Sequence, residues 1–226
     1  MNISDDLFRQ GQIAFNGRII ADATHEIQNH FAVIKEYSGL IADLLQTKQR
    51  VINRTNKRCA QITKSINERA DRAAQMVDAL NGFAHRGDVS VRRFKVNEAA
   101  AELTVLLQRH AALRRVALDL DAGTETPVVT NDASVLQYLL FSLITPLLDA
   151  MEENGSIAQH ISTETSGTAM INIVADGKMN GSPEQDLISS KAVDKCLEKL
   201  AAGISMNTES GDHLQILLNI PSVAVA

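Results

Sequence analysis

Apolar positions in the first third of the chain recur with a helical period. Ile20, Ile27, Ile34 and Ile41 stand seven apart, and Ala23, Phe31, Tyr37, Leu44 and Leu45 fall near the same stripe at 100° per residue. Residues 8–84 contain no proline and only four glycines, so long helices meet few breakers. The polar run 46–56 interrupts the pattern, and Ile62, Ile66, Ala70, Ala73, Val77, Leu80 and Ala84 then resume spacings of three and four. The pattern predicts a helical hairpin. Two helices of this length cannot bury their apolar stripes in one pairwise contact, so a homodimer forming a four-helix bundle is expected.

Beyond the polar punctuation at 85–90 the periodicity is mixed. Helices are predicted over 97–113, 132–151 and 186–202. Strands are predicted over 116–120, 127–129, 157–162, 169–175, 204–208 and 213–220, the last two flanking a turn at 209–212. Strands following two long helices point to an α+β layer rather than a doubly wound sheet. The division expected is a dimerising hairpin domain over 1–88 and a second domain over 89–226.

Composition narrows the class. With 226 residues, 45% hydrophobic and 22% charged, the chain reads as an ordinary soluble globular protein. No apolar run approaches the roughly 20 residues of a membrane span, and the N-terminus lacks a signal-peptide pattern, so the cytoplasm and no membrane partner are expected. A net charge of −5 without an evident Lys/Arg cluster argues against nucleic acid. Cys59 and Cys196 are far apart and read as buried, reduced thiols, with no metal site indicated.

Candidate chemistry lies at Thr24-His25-Glu26-Ile27-Gln28-Asn29-His30. His25 is about 140° around the helix from Ile20 and points away from the apolar stripe. A lone helix histidine is most often just solvated, but Glu26 is adjacent and Asn29 lies one turn on along the same face. The zinc spacing H-E-x-x-H is not met, because His30 follows His25 by five residues and the two rings cannot share one ion. An exposed imidazole beside a carboxylate suits nucleophilic attack on phosphorus. In this reading Glu26 holds the other ring N–H, and Asn29 orients water when a phosphoryl group is hydrolysed.

The stretch H-E-I-Q-N-H-F-A-V-I resembles the phosphoacceptor box of bacterial sensor histidine kinases, and residues 62–83 resemble the second hairpin helix of that family. The rest is similar, in order, to the family's GHKL-type ATP-binding domain: Phe94-Lys95-Val96-Asn97, then Asn131-Asp132, then Leu148-Asp149-Ala150-Met151, and a terminal strand closed by Pro221. The resemblance implies an α+β protein, a hairpin dimerising into a four-helix bundle followed by an α/β sandwich. It also implies phosphorylation of His25, Asp176 as the adenine contact, and a response-regulator receiver domain as partner.

Departures from that pattern bear on the nucleotide. Pro146 stands where the family carries its magnesium-binding asparagine, His30 where it carries a proline, and no glycine opens the region 187–191. Only about ten residues separate Asp176 from the next predicted helix, short for a nucleotide-covering lid. The expectation is therefore a histidine phosphotransferase that exchanges a phosphoryl group between His25 and response-regulator aspartates, with no cofactor. The alternatives are a soluble kinase using ATP and magnesium, and a non-catalytic or phosphatase module that binds a response regulator. His85, His110, His160 and His213 show no acidic or cysteine neighbour at ligand spacing and receive no role. Asp149 reads as solvated and Pro146 as a helix kink.

Overall fold

The computed structural model defines residues 3–46, 52–121, 123, 126–164, 167–210 and 212–223. Two long helices, α1 (Ile3–Gln46) and α2 (Ile52–His85), form the hairpin. α2 begins at Ile52, inside the expected polar interruption at 46–56. The chain continues as β1 (Arg92–Lys95), α3 (Val96–Arg114), β2 (Ala117–Asp121), β3 (Val128–Asn131), α4 (Ala133–Ala150), β4 (Ser156–Thr163) and β5 (Ala169–Asp176). It closes with α5 (Pro183–Ile188), α6 (Lys191–Leu200), β6 (Gly203–Ser210) and β7 (His213–Ile220).

Five strands form one mixed sheet in the order β2-β4-β5-β7-β6, in which only β2 and β4 run parallel, and β1 and β3 form a separate antiparallel pair. Burial alternates along β4, β5 and β7, so one face of the sheet is apolar. α4 lies in the core with it: Leu136, Leu139, Leu140, Leu143, Ile144, Leu147 and Leu148 are fully buried with Ile157, Ile171, Ile173 and Ile216. α4 starts where the Asp132 carboxylate caps the backbone N–H groups of Ser134 and Val135. By length and composition it could cross a bilayer, yet it is a core helix, 67% buried within the fold.

Three expectations change. The helix predicted over 186–202 is two helices, broken where the Ser190 hydroxyl accepts from the backbone N–H of Val193 and starts α6 afresh. β1 had no strand prediction, its apolar content being a single buried Phe94. The largest change concerns α1, whose most buried apolar positions are Phe8, Phe15, Ile19 and Ala23, while Ile20 and Phe31 of the expected stripe are exposed.

The N-terminal half of α1 packs against the α/β layer as well as against α2. Phe15 stands 4.6 Å from Phe141 of α4, 5.3 Å from Tyr138 of α4 and 5.3 Å from Phe83 of α2, ring centre to ring centre, and Phe8 makes an edge contact with Tyr138 at 5.6 Å. Most of the few aromatic side chains are thus spent on one seam, and the hairpin shares a continuous core with the layer. The exposed Leu7, Ile13, Ile20, Phe31 and Leu45 of α1 and Val77 of α2 leave a second apolar surface on the hairpin.

Candidate functional site around His25

α1 runs unbroken through the motif, so His30 in place of a proline leaves the helix continuous. His25 and Asn29 are exposed, Glu26 is half-buried, and His30 is buried on the opposite side, 4% exposed. His25 therefore faces outward as the spacing predicted, and the two imidazoles point to different surroundings.

The contacts differ from the expected ones. Asn29 Nδ2, rather than Glu26, lies 3.1 Å from His25 Nδ1. Helix neighbours at i and i+1 diverge by about 100°, whereas i and i+4 stack on one face, so Asn29 can reach the ring and Glu26 cannot. Glu26 Oε2 instead accepts from Asn29 Nδ2 at 3.3 Å and forms an ion pair with Arg109 of α3, 3.1 Å from its Nε, while Glu26 Oε1 lies 3.8 Å from His30 Nε2. Arg109 carries no motif signal in the sequence and is brought to the site only by the docking of α3 on α1. A second polar chain runs beside it: Arg18 donates to His110 Nδ1 at 3.0 Å, and His110 and Arg114 both donate to Asp149. Asp149 is thus paired rather than merely solvated.

Burial of the His30 ring holds it below the usual histidine range. Glu26 opposes that effect, and Arg69 and Arg72 of α2 add to it. Its Nδ1 is buried without a hydrogen-bond partner. The other histidines, given no role from sequence, each lie beside an aspartate: His85 by Asp88 at 2.7 Å, His160 by Asp121 at 3.3 Å and His213 by Asp176 at 3.8 Å, as His110 lies by Asp149. Among the described residues no three His, Cys, Asp or Glu side chains cluster as a metal site.

Asp176 lies far from His25 in sequence and ends β5 with its side chain exposed. Gly177 after it is required by the backbone: its φ is +132°, and a Cβ there would stand 2.8 Å from Gly155 Cα. The following segment is stitched to the end of α4, with Glu152 N–H donating to Lys178 O at 2.8 Å and Asn180 N–H to Ala150 O at 2.7 Å. Beyond it, Met179, Ser182, Pro183, Glu184, Thr208 and Leu214 line a hollow of about 180 Å³. Pro146 sits inside a continuous α4 and offers no oxygen from its side chain.

Cys196 is fully buried, which pushes its thiol up to about 12, but Cys59 is only half-buried, against the expectation for both. Basic side chains do gather at one place, where Arg86 is paired with Glu102 and Lys95 with Glu98. Arg86, Arg92, Arg93 and Lys95 line one open hollow with Phe94, Glu98 and Val128, gathered by the turn from α2 into β1.

Comparison with known proteins agrees with the architecture. The chain is 25% identical over 170 residues, 74% of its length, to the C4-dicarboxylate transport sensor protein DctB of Rhizobium meliloti (strain 1021). It is 22% identical over 178 residues to the sensor histidine kinase TmoS of Ectopseudomonas mendocina. The chain is thus similar over about three quarters of its length to parts of two bacterial sensor proteins, one of them a sensor histidine kinase. It spans only 26% and 18% of those two proteins, and no family model matches it. A nucleotide-free catalytic domain of histidine kinase ThkA superposes on 59% of this chain with a TM-score of 0.51 at 15% identity, covering 97% of that domain. Full-length ShkA in complex with AMPPNP covers 91% of the chain, using 46% of its own length, with a TM-score of 0.51 at 14% identity. The fold is therefore that of a histidine kinase transmitter: a helical hairpin followed by a mixed α/β layer.

Proposed function

We propose that this transmitter-type chain is a histidine phosphotransferase of two-component signalling, in which His25 exchanges a phosphoryl group with the aspartate of a response-regulator receiver domain. The observation that carries this reading is the contrast between its two candidate sites. His25 is exposed on α1 and backed by a side-chain amide. At the positions the resemblance assigns to the nucleotide, Pro146 offers no metal-ligating side chain, the segment after Asp176 is hydrogen-bonded to the end of α4, and the hollow beside it measures about 180 Å³. That is below the roughly 300–1,000 Å³ of ligand cavities. The residues present fit a magnesium nucleotide poorly, and no step is routed through one.

In the reaction, an imidazole nitrogen of His25 attacks the phosphorus of an aspartyl phosphate in line. The N–P bond forms as the P–O bond breaks, the aspartate leaves as carboxylate, and the ring N–H proton is released to solvent. The receiver supplies its own carboxylates and metal, and the chain contributes positioning. Asn29 orients the ring and, for hydrolysis, a water. The protein acts as a cytoplasmic homodimer. The apolar surface left on the hairpin by Ile13, Ile20, Phe31 and Val77 supports that assembly.

The test offers the wild type and His25→Ala ³²P-labelled phosphoramidate, a small phosphoryl donor, and separately γ-labelled ATP with Mg²⁺. Acid-labile, base-stable label from phosphoramidate on the wild type alone, with none from ATP, is expected. Label from ATP that vanishes in His25→Ala would establish instead an ATP-dependent kinase, the reading favoured by the name of the relative TmoS. Equal label on both proteins would remove His25 from the chemistry.

A further inference from the structure

The Asn29 amide can only donate through Nδ2, so the 3.1 Å contact to His25 Nδ1 makes that ring nitrogen an acceptor. A neutral His25 then carries its hydrogen on Nε2. The amide is not free to turn over, because Nδ2 also donates to Glu26 Oε2, and inversion would set Oδ1 against a carboxylate. The carboxylate is in turn held by an ion pair with Arg109 of α3, whose Nε lies 3.1 Å from the same Oε2 and whose side chain is only 26% exposed. Asp22 lies 3.9 Å from the Arg109 guanidinium on its other side.

We infer that Arg109 of α3 is a positioning residue which, through Glu26 and Asn29, holds His25 in the Nε2–H tautomer. The inference rests on the reading of His25 as phosphoryl acceptor and concerns its regulation. In this resting arrangement the outward Nε2 carries a hydrogen, and the lone pair is covered by Asn29 at Nδ1. Attack through Nε2 requires Asn29 to present Oδ1 to an Nδ1–H, with the ring proton moved from Nε2 to Nδ1 through water. That becomes favourable when Oε2 of Glu26 leaves the amide. The α/β layer thereby acts on the nucleophile without touching it.

The test is the long-range ¹H–¹⁵N spectrum of the full chain above the histidine titration range, with His25 assigned by His25→Ala. The wild type should show a pyridine-type Nδ1 and a pyrrole-type Nε2, well separated. Arg109→Ala and Glu26→Ala should each pull the two nitrogens toward a common value, the double variant no further, and Arg109→Lys should restore part of the separation. Arg114→Ala, which breaks a different contact of α3, should leave the wild-type pattern. A wild type with averaged or Nδ1–H signals would overturn the inference. So would an unchanged pattern in Arg109→Ala, or an equal change in Arg114→Ala. Absence of phosphoramidate labelling with the tautomer pattern intact would count against the acceptor reading, not against this one.

Discussion

Gly11 of α1 lies against the hydroxyl end of Tyr138 so closely that a Cβ added to it would overlap the Tyr138 hydroxyl oxygen. Tyr138 cannot easily give way, being flanked by Phe8 and Phe15. Gly17, six residues on, has nothing within 4 Å of the same added atom. Both positions are mid-helix, where alanine is worth about 1 kcal/mol over glycine. Gly17→Ala should therefore raise the urea midpoint by the equivalent of about 0.5–1 kcal/mol, and Gly11→Ala should lower it by about 1–3 kcal/mol through overpacking. Equal shifts in the two variants would mean that α1 is not seated on Tyr138.

His30 gives the stability a sign in acid. Burial holds the ring below its ordinary value, with Glu26 opposing and Arg69 and Arg72 reinforcing, so the folded chain binds its proton less readily than the unfolded one. Above about pH 6.5 neither state is protonated there and the residue contributes nothing. As pH falls through about 6.5 the unfolded state takes up the proton first, and stability is lost until pH drops below the folded value. His30→Leu should lose less stability than the wild type between about pH 7.5 and about pH 5.5, read as denaturant midpoints. A parallel decline in both proteins would show that the ring titrates normally.

Much of the α/β layer was legible, because α4, β4, β5 and β7 are long periodic segments whose burial follows their own sequence pattern. The hairpin was legible as helices but not as packing. A helix with apolar residues at Phe8, Phe15 and Ile19 and also at Ile13, Ile20 and Phe31 has two candidate faces, and only tertiary contact decides which meets the layer. At the site the outward direction of His25 followed from helical geometry. The partner of Glu26 did not, since Arg109 arrives from α3. The expected Glu26–His25 contact overlooked the divergence of adjacent helix residues.

The two thiols should separate cleanly by reactivity. The thiolate is the reacting form, and burial of Cys196 pushes its thiol up to about 12, while Cys59 is half-buried on α2. A disulfide reagent at neutral pH should titrate one thiol in the native protein and the second only after denaturant is added. Cys59→Ser should abolish the native reaction. Two thiols reacting at once would place α6 away from the core.

The seam at Phe15 bears directly on how the molecule works. A kinase must carry a nucleotide's terminal phosphate to the histidine, which requires the α/β layer to travel over the hairpin. Phe15, packed on Phe83, Tyr138 and Phe141, opposes such travel, and Arg109 on Glu26 adds a polar fastening. Removing the ring should cost about 3–5 kcal/mol if the site cannot collapse. It should also loosen the layer before the chain unfolds. Amide exchange is the discriminating measurement. In the wild type, the amides of α1 around Phe15 and Ile19 should be protected as strongly as those of α4, and Phe15→Ala should lower both sets together. Fast exchange in α1 beside slow exchange in α4 of the wild type would mean that the seam opens on its own, and the layer would then be free to move as a kinase requires.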